Sequence, residues 1–148
     1  MSRLDKAFRT SEKLEKEGVI RDFGYCRITL ARAGGTNRAY AVAMEKIQRK
    51  YEKLINAKML SDAKSAEILA EVYADTIVLN WETNTDEAIE DKPENWKQGI
   101  EFEEIEPFNR ENVIAAFKRW PELLVECKST AEDMQFYLAA LVENTTKN

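Results

Sequence analysis

Apolar residues recur at three- and four-residue steps through most of the chain after residue 37, and that period, which lines one face of an α-helix, constrains the fold more than any other feature. The first such helix is expected to start at Thr36 or Asn37, whose side-chain oxygens can cap it, and to run to about Ala57. Its stripe is Tyr40, Ala43, Met44, Ile47, Tyr51, Leu54 and Ile55. A second helix starts at Ser61 or Asp62 and carries Ala66, Leu69, Val72, Tyr73, Thr76, Ile77 and Asn80. Only Lys58 to Leu60 separate the two, so they should form an antiparallel helical hairpin. Asn109 caps the third helix, with Phe108 five residues before Val113 as a hydrophobic staple, and Ile114, Phe117 and Trp120 continue its apolar face. Pro121 ends that helix near Arg119 and opens a fourth. The fourth stripe, from Leu123, Leu124 and Cys127 through Ala131, Met134, Tyr137, Leu138 and Leu141, reaches about Glu143.

Ahead of the helices the texture differs. Four of the five glycines fall between Gly18 and Gly35, and the residues between them are rich in β-formers. A turn across Asp22-Phe23-Gly24 joins Val19–Asp22 to Tyr25–Arg32 as a small hairpin, with Cys26, Ile28 and Leu30 on the core face. Residues 1–17 are polar with isolated Leu4, Phe8 and Leu14, and are expected to be flexible; so is the tail at 144–148. Residues 83–106 show neither period and are expected to be a long acidic loop between the second and third helices. The expected fold is thus one domain over 1–148, mainly α, with a small N-terminal β-hairpin followed by about four amphipathic helices. A chain of 148 residues is long enough for one real core.

Residue usage narrows the chemistry. There is no histidine, which excludes Ser-His-Asp and Cys-His nucleophile activation and histidine metal ligation. Cys26 and Cys127 stand alone, without the paired spacing of a zinc site or disulfide framework. The acidic residues from Asp86 to Glu106 lack the ligand order and central glycine of a calcium loop. No metal, no cofactor, no small-molecule substrate and no catalytic residue is expected. No apolar run is long enough for a membrane span, and Met1 to Lys6 leads into charge rather than a signal-peptide core, so a cytoplasmic protein is expected.

Gly34 and Gly35 sit where a strand meets a helix start, the setting of a phosphate loop, but the lysine-serine or lysine-threonine partner is missing. A tight strand-to-helix turn, closed by Asn37 as cap, accounts for them. Charge is uneven: residues 1–58 carry 14 basic and 7 acidic side chains, whereas 83–106 carry 2 and 9. Those regions can attract each other within one molecule or between molecules, so self-association is one expectation. Nucleic-acid binding through Arg21, Arg27, Arg32, Arg38, Arg49 and Lys50 is the alternative, opposed by a net charge of −5 that phosphate would repel at longer range.

Three blocks in order resemble the tail assembly chaperones of siphophages and prophages. They are Gly18-Val19-Ile20-Arg21-Asp22-Phe23-Gly24 with Arg27 to Arg38, including Arg32-Ala33-Gly34-Gly35-Thr36-Asn37; Tyr73 to Glu82; and Pro107 to Val113 followed by Trp120-Pro121-Glu122-Leu123. The insertion Asp86 to Glu104 and the extended C-terminal helix depart from that pattern. The resemblance implies a protein made in the host cytoplasm that engages the tape measure protein and the tail tube protein and is absent from the finished virion. A structural virion component is the other phage role to be tested. Partner contact is expected at Trp96 and Trp81 near the acidic segment and at Tyr40, Ile47 and Tyr51 on the first helix, residue types that dominate interfaces.

Overall fold

A computed structural model describes residues 1–146, with side chains through Val142. Of the tail expected to be flexible, Lys147 and Asn148 lie outside the described residues. Two short helices, α1 (Arg3–Phe8) and α2 (Glu12–Glu17), precede the hairpin β1 (Val19–Asp22) and β2 (Cys26–Leu30). Next come α3 (Arg38–Lys50), α4 (Glu52–Asn56) and α5 (Asp62–Thr76), then β3 (Val78–Asn84), a 3-10 turn at Pro93–Asn95 and β4 (Trp96–Gln98). Two-residue strands β5 (Ile100–Glu101) and β6 (Ile105–Glu106) lead to α6 (Arg110–Arg119) and α7 (Pro121–Glu132). A 3-10 turn at Met134–Tyr137 and α8 (Ala139–Thr146) close the described chain.

The expected mainly α fold with a lone hairpin is overturned, because the hairpin is half of a four-stranded antiparallel sheet ordered β1-β2-β3-β4, with β5 and β6 forming a second sheet. The helix expected to reach Asn80 stops at Thr76, whose carbonyl accepts from the Asn37 side chain. From Ile77 to Thr83 the residues are mostly β-branched or aromatic, which suits a pleated surface better than a helix turn. In β3, Val78, Trp81 and Thr83 are buried and Leu79 is exposed. Strict alternation fails because the register against β2 shifts between Thr29 and Leu30, a bulge that displaces one side chain. That irregularity let Ile77 and Asn80 continue a false helical period.

The acidic stretch 83–106 is not a long loop either. It completes β3, adds β4 to the sheet edge and forms the β5–β6 ribbon, leaving only a short irregular crossing between. Gly99 makes the passage from one sheet to the other possible: it holds φ +128, and a methyl there would stand 2.7 Å from Ile105 Cγ2. The alternation of acidic and apolar residues from Glu101 to Glu106 is what an edge strand would show, and β5 and β6 fall at its two ends; the three residues of β4 carry no readable period.

One face of the large sheet packs on α5, α6 and α7. Ile28 and Leu30 from β2, Tyr73 from α5, Ile77 just beyond its end, Trp81, Ile100, Val113, Phe117, Leu124 and Cys127 form one continuous core. Each such large side chain contributes about 1.5–3 kcal/mol by leaving water. The last predicted helix is interrupted after Glu132, where Asp133 turns the chain so that the Tyr137 hydroxyl donates to Leu30 O at 3.0 Å. The N-terminal segment is tied to this region: Ser11 N donates to Tyr137 O at 2.7 Å and Ala139 N to Arg9 O at 2.8 Å.

Candidate functional site

The Gly34-Gly35-Asn37 turn is a structural junction. Gly35 adopts φ +55, and a methyl on it would come 2.6 Å from Glu15 Cδ. Glu15 is buried; its carboxylate accepts from Arg32 and, at 3.2 Å, from the Thr36 hydroxyl. Asn37 is buried too: it accepts from Tyr40 N at 3.3 Å as the α3 cap and donates to the carbonyls of Arg32 and Thr76 at 2.9 and 3.1 Å. Four elements, α2, β2, α3 and α5, are therefore locked together through side chains from one short turn. Within the turn Asn37 N donates to Gly34 O at 3.1 Å, and the positive φ of Gly34 and Gly35 lets the chain reverse this tightly.

The aromatic residues singled out from sequence divide. Trp81 is buried in the core with its indole N–H unpartnered. Trp96 is half-buried; its N–H donates to Asp91 Oδ1 at 2.7 Å and the Arg27 guanidinium lies 4.2 Å from its ring centroid. Arg27 also pairs with Glu82 across the strands, so Trp96 caps an ordered polar patch on the sheet. Tyr40 meets Tyr73 edge-on at 6.4 Å. Ile47 and Tyr51 are half-buried on the α3 stripe. The structure does not gather these five into one surface: Tyr40, Ile47 and Tyr51 belong to α3 and its end, and Trp81 and Trp96 to the sheet.

The exposed apolar geometry lies on the helical side. No residue of α3 is buried, although its apolar stripe faces α5, and Val42, Met44, Leu54 and Met59 remain substantially exposed along α3, α4 and the following turn. Beside it, α5 and the α6–α7 pair leave an open groove of about 480 Å³. Ala63, Ala66 and Ala70 form one wall, Phe117, Leu124 and Val125 the other, with Lys118 and Lys128 on its rim. Val125 is 55% exposed. The alanines, spaced three and four apart on one face of α5, keep the groove open because their methyls cannot fill it. That spacing was the signal in the sequence, but alanine on a helix reads equally as ordinary helix-former.

Burial pushes both the Cys26 and the Cys127 thiol up to about 12, which keeps them protonated and unreactive near neutrality. Among the described residues no three His, Cys, Asp or Glu side chains stand together as metal ligands would, and no helix is long and apolar enough to cross a membrane. Of the basic residues considered for nucleic acid, Arg21, Arg27, Arg32 and Arg49 pair with Glu126, Glu82, Glu15 and Glu45.

These features describe a small α/β protein whose distinctive surface is a set of open apolar crevices between helices. The chain belongs to a prophage family: the model of the YdaY prophage protein family matches residues 35–148. No curated protein and no solved structure matches it. The match begins at Gly35 and takes in α3 through α8, including the whole groove, while α1, α2, β1 and β2 precede it.

Proposed function

We propose that this prophage protein is a tail assembly chaperone, acting in the host cytoplasm by binding the tape measure protein and the tail tube protein during tail construction, without catalysis and without entering the virion. The observation that carries this reading is the groove between α5 and α6–α7: an open, mostly apolar trough with three alanines on its α5 wall and Glu67, Lys118 and Lys128 as its charged lining. Small wall residues let a partner backbone approach closely, and an amphipathic helix can lay its apolar face into such a trough. A tape measure protein, long and helical, exposes apolar stripes until tube subunits surround it, and a highly charged binding protein would keep it dissolved meanwhile. The resemblance of three ordered sequence blocks to tail assembly chaperones points the same way.

Co-expression with the tape measure gene of the same prophage tests it. Soluble tape measure yield should rise and the two proteins should purify together. Val125→Glu, which places a charge in the groove at an exposed site and should leave stability within about 0.5 kcal/mol, should abolish the effect. Absence of co-purification, or a Val125→Glu variant as active as the parent, would count against the groove. Detection of the protein in purified particles by mass spectrometry would favour a structural virion role instead.

A further inference from the structure

A second depression of about 350 Å³ opens between the β1–β2 turn and the start of α7. Its walls include four aromatic rings, Phe23 and Tyr25 from the turn, Trp81 from β3 and Trp120 at the α6–α7 junction, and Glu101 of β5 supplies a carboxylate. We propose that this pocket receives a cationic side chain, lysine or arginine, presented by a partner protein.

Aromatic faces attract a cation through the negative potential above the ring, and the attraction grows as water is excluded. A carboxylate beside the rings adds a full charge and a hydrogen-bond acceptor. The exposed side chain of Glu101 has no hydrogen-bond or ion-pair partner among the described residues, whereas the neighbouring arginines are already engaged. Arg21 lies 5.0 Å from the Phe23 centroid and pairs with Glu126; Arg119 lies 5.0 Å from the Trp120 centroid and pairs with Glu103. Their charges are balanced before any ligand arrives, so the unbalanced charge at the pocket is negative. The thiol of Cys26, which lines the same pocket, senses it: after burial, Asp22 and Glu101 are what push its pKa up. A cationic occupant gains a charge-assisted hydrogen bond to Glu101 that a purely apolar occupant lacks. Tyr25, 62% exposed, stands where an entering chain would meet it first.

The test uses two blocked tripeptides, glycine-lysine-glycine and its norleucine counterpart, titrated into the intact protein while the indole N–H resonances of Trp81 and Trp120 are followed by NMR. The lysine peptide should bind about tenfold more tightly than the norleucine peptide, equivalent to about 1.4 kcal/mol. Glu101→Gln should remove most of that preference and leave norleucine binding unchanged, and Tyr25→Ala should weaken both peptides. Equal binding of the two peptides, a preference indifferent to Glu101→Gln, or shifts confined to the α5–α7 groove would overturn the proposal. None of these readouts involves a tape measure protein, so the chaperone reading can fail while this one stands, and the reverse.

Discussion

Replacing Gly35 with alanine should be among the most damaging single-methyl changes this protein can suffer, and the reason lies twenty residues away in Glu15, the partner of Arg32. The added methyl would overlap the Glu15 carboxylate, whose Cδ would stand only 2.6 Å from it. Glu15 is 1% exposed and holds Arg32, 19% exposed, in a buried ion pair. Holding alanine at φ +55 costs about 1–2 kcal/mol by itself. Displacing Glu15 leaves Arg32 partly buried without its counter-charge, for which about 3 kcal/mol is appropriate given that some of the guanidinium still meets water. The sum, about 4–5 kcal/mol, is a large part of the 5–15 kcal/mol that holds a typical domain together. Urea unfolding of four proteins measures it: parent, Gly35→Ala, Glu15→Ala and the double variant. Once Glu15 is alanine the methyl meets no carboxylate, so the double variant should be more stable than the two single losses predict by about 2 kcal/mol or more. Losses that add to within about 0.5 kcal/mol would refute the steric coupling and reduce the Gly35 effect to backbone strain alone.

Three further outcomes can be checked alongside. Tyr73 is fully buried and its hydroxyl has no hydrogen-bond partner, so Tyr73→Phe should keep the ring packing and raise stability by about 1 kcal/mol in the same urea assay. Lys58 is exposed at φ 55, where a side chain is strained, and Lys58→Gly should raise the melting temperature by relieving about 1 kcal/mol. The two thiols should react slowly with a thiol reagent at mildly alkaline pH and rapidly once the chain is unfolded in concentrated urea. Because their folded values near 12 lie above the ordinary 9.0, their contribution to stability is complete below about pH 9 and is lost as pH rises towards 12, so unfolding curves should weaken across that window.

The starts of α3, α5 and α6 were legible because each carries an apolar stripe at the helical period and opens with its own cap. Asn37, Ser61 and Asn109 accept from the backbone N–H three residues on, as their positions in the sequence imply. Pro121 opens α7 for an equally local reason: its missing N–H needs no partner in a first turn. The β1–β2 hairpin was likewise visible, since Ile28 and Leu30 alternate with polar neighbours. The sheet it belongs to was not. β3 becomes a strand because β2 and β4 offer hydrogen bonds on both its edges, and neither pairing leaves a trace in residues 78–84 taken alone. The same limit hid the groove and the aromatic pocket. Ala66 and Val125, or Tyr25, Trp120 and Glu101, are far apart along the chain, and their meeting depends on how α5, α7 and the two sheets pack. Local periodicity and capping are set by neighbours within a turn or two, so the sequence by itself determined where α3, α5, α6 and α7 begin and the absence of histidine chemistry; long-range pairing is a property of the packed whole, and only the tertiary structure decided where α5 and α7 end, the four-stranded sheet, the Glu15–Arg32–Gly35 lock and both crevices.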